Sequence, residues 1–223
     1  MSRILVIGND TQVSREIGDS LCAVDFPMEY SAGHADTLQR LRMRSFGVVI
    51  TDPNSAVDED LALLEEMRLI RPGVKCIVLA RHSTPDEVIA ALRARVFACF
   101  TPPFDSRDIA NLASGAASDS QWRDDIQVLS AKPGWVSVRV NCRLITAERL
   151  MTFAKELSAQ LPEDTREEML QALREILLNA LAPNRWLRSQ PFEQQDRCVL
   201  RTRPRGGISP RIAHSCCYRK SDS

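Results

Sequence analysis

The chain has no Cys-x-x-Cys pair, no apolar run near the ~18 residues a membrane helix requires, and no signal-peptide pattern at its beginning. Its first apolar run, Ile4 to Ile7, is only strand-sized, and a cytoplasmic location with no membrane partner is expected. Glycine and proline are sparse, nine and twelve of 223 residues, which excludes collagen-like and low-complexity architectures. The seven cysteines (Cys22, Cys76, Cys99, Cys142, Cys198, Cys216 and Cys217) are an odd number without metal-site spacing, so they read as reduced thiols. Net charge is also lacking, but the zero hides an asymmetry. From Ala182 onward nine Lys and Arg stand against three Asp and Glu, so that tail carries +6 and the rest of the chain −6. The remaining composition, 44% hydrophobic and 26% charged, is that of a soluble globular chain with one large or two small domains.

What is present is a strict alternation of two periodicities. Ile4–Ile7, Val48–Ile50 and Cys76–Leu79 are short runs rich in β-branched residues, the pattern of strands buried on both faces of a parallel sheet; Phe26–Ser31 and Val96–Phe100 are weaker strands. Between them, residues three or four apart form apolar stripes: Val13, Ile17 and Leu21; Leu38 and Leu41; Leu61, Leu64 and Met67; Val88, Ala91 and Leu92. Thr84-Pro85-Asp86-Glu87 has the residues of a capping box with proline at the first helical position. Five such βα units give a doubly wound α/β sheet in the order 2-1-3-4-5, whose ligand crevice lies at the carboxyl ends of the strands.

This unit is expected over residues 1–117, followed by a linker helix or loop over 118–134, with the last helix running on toward Leu129 until Pro133-Gly134 stops it. Trp135 to Val140 alternates as a half-buried strand. Thr146 opens a helix with Leu150, Phe153, Ala154 and Leu157 on one face, and a further helix from Glu163 carries Met169, Leu173, Ile176 and Ala180. Residues 182–223, interrupted by Pro183, Pro191, Pro204 and Pro210, read as an irregular basic tail or as sequence out of frame.

At the crevice end of the third strand stands Asp52, after Phe46-Gly47-Val48-Val49-Ile50-Thr51, and Phe100-Thr101-Pro102-Pro103-Phe104 follows the fifth strand. Residues 1–117 thereby resemble the response-regulator receiver domain of two-component systems, a flavodoxin-like fold. The resemblance implies that Asp52 accepts a phosphoryl group from a histidine kinase or phosphotransfer protein, that the Pro102–Pro103 peptide is cis, and that Mg²⁺ is bound beside Asp52. The supporting residues are depleted. Gly8 and Asn9 stand where the family has an acidic pair, with Asp10 one place on, so only Asp10 and Asp52 can give the metal a carboxylate, and weakly. Ala80 replaces a hydroxyl residue and Pro102 a lysine; neither can bond a phosphoryl oxygen. Arg81 and His82 lie nearby. The residues therefore imply slow phosphorylation of Asp52, or a pseudo-receiver acting by protein–protein binding. Restoring Asp at 8, Thr at 80 and Lys at 102 together is expected to improve labelling. A bland role for Asp52 also exists, a strand-end aspartate bonding its own following backbone.

Arg174-Glu175-Ile176-Leu177-Leu178-Asn179-Ala180 puts Glu175 and Asn179 on one helical face. With the preceding strand and helices it resembles the N-box of histidine-kinase-like ATPases, above all the anti-sigma serine kinases, and residues 135–181 would be an incomplete α/β sandwich of that type. In those proteins the glutamate orients a water or hydroxyl and the asparagine binds Mg²⁺ on ATP. A sigma-factor regulator would then be a partner. Only 44 residues follow Asn179, however, and no Asp-x-Gly-x-Gly loop is among them, so ATP binding by this chain is not expected. Two other readings are weaker: a flavin site lacks a phosphate loop after the first strand, Gly8-Asn9-Asp10-Thr11 being thin support, and the basic tail lacks the repeated basic-aromatic units that favour nucleic acid.

Overall fold

The computed structural model describes residues 2–8, 11–82, 84–119, 126–132, 135–141, 143–181 and 197–201. Contacts divide the chain into two compact units, Met1–Arg123 with Thr152–Gln160, and Asp124–Met151 with Leu161–Ser223.

In the first unit five strands, β1 (Arg3–Ile7), β2 (Met28–Ser31), β3 (Phe46–Ile50), β4 (Lys75–Leu79) and β5 (Ala98–Phe100), form one parallel sheet in the order β2-β1-β3-β4-β5. The β-branched runs occupy its centre: Ile4, Leu5, Val6, Val48, Val49, Ile50, Ile77 and Val78 have no solvent exposure, because helices cover both faces. The helices are α1 (Gln12–Ala23), α2 (His34–Met43), α3 (Val57–Ile70), α4 (Pro85–Arg93) and α5 (Ser106–Ser118). α1 packs with α5, while α2, α3 and α4 pack in succession. Caps set the starts. Thr11 accepts from the Ser14 amide, Asp105 accepts from the amides of Arg107 and Asp108, and at α4 the Thr84–Glu87 capping box is complete. Lys75, buried at the start of β4, donates through Nζ to the carbonyls of Ala116 and Asp119 and so closes the end of α5.

One apolar stripe has a different phase from the expected one. On α3 the inward residues are Val57, Asp60, Leu63, Leu64 and Met67, with Leu61 only half-buried. A carboxylate thus lies on the face that the sequence spacing gave to Leu61.

In the second unit β6 (Ile126–Lys132), β7 (Trp135–Asn141) and β8 (Arg197–Arg201) form an antiparallel sheet with β7 central. Val138 and Val140 are buried and Arg139 is half-buried, as alternation requires, but Ser137 is also buried and Val136 only half-buried, so the alternation is not strict. α6 (Leu144–Leu157) begins two residues before Thr146, and α7 (Glu163–Leu181) buries Leu177, leaving Met169, Leu173, Ile176 and Ala180 half-buried. Two expectations are corrected. The segment 118–134 is not a linker continuing the last helix: α5 ends at Ser118 and β6 occupies 126–132, because Ile126 to Lys132 finds an antiparallel pairing partner in β7. The tail is not irregular throughout, since Arg197-Cys198-Val199-Leu200-Arg201 pairs with the other edge of β7.

Among the described residues no helix is long and apolar enough to cross a membrane. Cys22, Cys76 and Cys99 are free thiols; burial pushes Cys76 far up and Cys99 up to about 12, so neither is a reactive thiolate. Cys142, Cys216 and Cys217 lie outside the described residues.

Candidate functional site

The winding direction reverses between β1 and β3, and their carboxyl ends deliver Gly8 and Asp52 to the same place. A Cβ built on Gly8 would fall 2.4 Å from Asp52 Oδ2, and Gly8 has φ +75°, where side-chain-bearing residues are strained. Asp52 is half-buried, and its backbone continues into a turn in which the Asn54 amide donates to Asp52 Oδ1 at 2.8 Å. The bland role is therefore real but uses one oxygen. Among the described residues no hydrogen bond reaches Oδ2, which remains available at the crevice.

The remaining expected residues take their places around it. Ala80 follows β4, is buried, and donates its amide to the Phe100 carbonyl at 2.9 Å; its methyl offers no hydrogen bond. Pro102 and Pro103 are exposed after β5 and the peptide between them is cis. Arg81 reaches across from the β4–α4 loop to Asn54 Oδ1, with Nη2 at 2.6 Å and Nε at 3.2 Å, and so brings a guanidinium to the turn that carries Asp52. His82 is exposed nearby. Asn9 and Asp10 lie outside the described residues. Among those described, no three His, Cys, Asp or Glu side chains gather as a metal site. Mg²⁺ needs near-octahedral oxygen ligation, and of the expected carboxylate ligands Asp52 is the one among the described residues.

The sequence reading missed a polar cluster behind Asp52. Asp60 has no solvent exposure; Thr51 Oγ1 donates to its Oδ2 at 2.7 Å, and Ser55 Oγ lies 2.7 Å from its Oδ1 and 2.7 Å from the Asp52 carbonyl oxygen. The Leu79 amide donates to Thr51 Oγ1 at 3.0 Å, and His34 Nε2 is 3.9 Å from Asp60 Oδ1. Burial pushes the Asp60 carboxyl up to about 6, against the hydrogen bonds of Ser55 and Thr51 and the attraction of His34. The available signal was a lone Asp with Leu63, Leu64 and Met67 at helical spacing.

The order β2-β1-β3-β4-β5 with an aspartate directly beyond β3 decides the fold of this half. Residues 1–117 have the fold of a receiver domain. No family model matches the chain. Two curated proteins are similar to it, the transcriptional regulatory proteins GlrR of Escherichia coli K12 and QseF of Escherichia coli O157:H7, each 24% identical over 131 residues. Those matches cover 56% of this chain and 30% of each relative, so the chain spans less than a third of their length. Among solved structures, a CheY-like receiver domain protein from Methanospirillum hungatei is 21% identical with a TM-score of 0.48, covering 54% of this chain and 97% of that one. A receiver domain protein from Clostridium thermocellum is 23% identical with a TM-score of 0.46, covering 54% and 98%.

Outside the receiver unit, Glu175 and Asn179 both lie exposed on α7, one turn apart as their spacing requires.

Proposed function

We propose that the chain serves in two-component signalling, with the receiver unit as its input and Asp52 as a slow phospho-acceptor for a histidine kinase or phosphotransfer protein. One observation carries this reading: among the described residues no hydrogen bond reaches Asp52 Oδ2, which lies at the β1/β3 switch point opposite a glycine, the place where a phosphoryl donor can approach. Slowness follows from Ala80 and Pro102, which place no donor on a phosphoryl oxygen, since fixed charge and positioning supply most of the catalysis in phosphoryl transfer.

The test is intact-mass measurement of the full chain incubated with acetyl phosphate and Mg²⁺. Slow gain of one phosphoryl group, absent in Asp52→Asn, supports the acceptor. Labelling that persists in Asp52→Asn overturns it. If neither protein is labelled and a partner binds both equally, the unit works as a pseudo-receiver through protein–protein contact. The rival reading, a serine kinase of the anti-sigma type under receiver control, rests on Glu175 and Asn179; it gains support only if the purified chain binds Mg·ATP saturably and Asn179→Ala loses that binding.

A further inference from the structure

We propose that the buried Asp60 is a positioning residue for Asp52, holding the acceptor turn from both sides as a neutral carboxylic acid. The proposal rests on the reading of Asp52 as the acceptor and adds what aims it. Asp60 sits in the first turn of α3 and grips Thr51, the residue before Asp52, and Ser55, three residues after it.

Counting hydrogens fixes the protonation state. Thr51 Oγ1 accepts from the Leu79 amide and gives its one hydrogen to Asp60 Oδ2. Ser55 Oγ also owns one hydrogen, yet it lies at 2.7 Å from two oxygens, the Asp52 carbonyl and Asp60 Oδ1. A carbonyl oxygen can only accept. With Asp60 ionised, one of these two short contacts would contain no hydrogen. A proton on Asp60 Oδ1 satisfies both: Asp60 donates to Ser55 Oγ, and Ser55 donates to the Asp52 carbonyl. Burial of the carboxyl favours the same neutral form. The other ionisable groups facing Asp60 are His34 on α2, Asp52 itself, and the buried thiols Cys76 on β4 and Cys99 on β5.

The chain of bonds anchors the Asp52 carbonyl, while the Asn54 amide holds Oδ1, so Oδ2 is left aimed at Gly8. In its neutral form, which prevails below about pH 6, Asp60 also spares Asp52 a buried like charge behind it when the phosphoryl group adds its own.

The experiment follows the Asn54 and Ser55 amide resonances of the full chain across roughly pH 5 to 8, in the unmodified protein and in Asp60→Asn, Asp60→Ala and His34→Ala. Asparagine reproduces the neutral acid, its NH₂ serving Ser55 and its carbonyl serving Thr51. Both amides should shift through one transition near pH 6 in the unmodified chain and in His34→Ala. In Asp60→Asn they should stay at the low-pH positions throughout, and in Asp60→Ala they should be displaced at every pH. A transition that survives in Asp60→Asn, or unmoved amides in Asp60→Ala, overturns the proposal. If Asp60→Ala does not fold, Ser55→Ala replaces it, and an Asn54 amide unmoved there counts equally against it. Acetyl phosphate labelling should fall about tenfold in Asp60→Ala and stay within about twofold in Asp60→Asn. If the unmodified chain takes no label, the acceptor reading falls while the amide shifts still decide the role of Asp60.

Discussion

Gly8, just beyond β1, and Asp60, in the first turn of α3, border the turn that carries Asp52, and each gives a measurable expectation. Asp60 has its carboxyl raised from the ordinary 3.8 to about 6, so the folded state binds that proton more tightly than the unfolded chain. Its stabilising contribution is complete below the ordinary value and is lost as pH rises through about 6. A gap of roughly two pH units corresponds to about 3 kcal/mol. Urea melts should show the unmodified protein losing stability relative to Asp60→Asn between about pH 4 and pH 7. Gly8 acts by being small. A side chain there meets Asp52 Oδ2 and must adopt φ +75°, so Gly8→Ala should cost about 1 to 3 kcal/mol by denaturant melts. The same crowding changes the expected restoration of the site: Asp at 8 displaces Asp52, and Thr at 80 with Lys at 102 should label better without it. Asp52 was legible because the end of a strand in a doubly wound sheet is a defined place. Asp60 was not, because Asp60 and Leu61 are adjacent and both fit a three-or-four spacing to Leu64. The hydroxyls that make its burial tolerable, Thr51 and Ser55, come from the segment after β3.

Helices and strands were readable where a local signal fixed them. α4 is the clearest case, since Thr84, Pro85 and Glu87 state its start in four residues. The Thr84 amide donates to Glu87 at 2.6 Å and its hydroxyl at 2.9 Å, and these bonds hold the Glu87 carboxyl below its ordinary 4.5. Thr84→Ala should lower stability by about 1 kcal/mol at neutral pH. The loss should shrink in acid melts, because a lowered carboxyl gives up its contribution as pH falls through its folded value. β6 and β8 lacked comparable signals. Each is a strand by virtue of β7, which β6 reaches through a short connection and β8 from more than fifty residues away. Long-range pairing of that kind leaves no mark in a local periodicity.

At the scale of the molecule, the parallel sheet was legible because strands buried on both faces are written as continuous apolar runs, whereas in the second unit β7, α6 and α7 carried a local pattern and β6 and β8 did not. The first unit also includes a piece that no local pattern assigns to it. Thr152–Gln160 belongs to it, and Glu156, 6% exposed, receives hydrogen bonds from the Thr101 amide at 3.1 Å and the Thr101 hydroxyl at 2.5 Å. Thr101 immediately precedes Pro102. The first compact unit is thus discontinuous along the gene: a polypeptide cut after Arg123 keeps every strand of the parallel sheet but leaves the Thr101 amide and hydroxyl without Glu156. Such a fragment should melt at lower temperature than the full chain by calorimetry. Glu156→Gln in the intact chain, which keeps an acceptor for Thr101, should lose less, and a fragment that retains this bond must extend past Gln160.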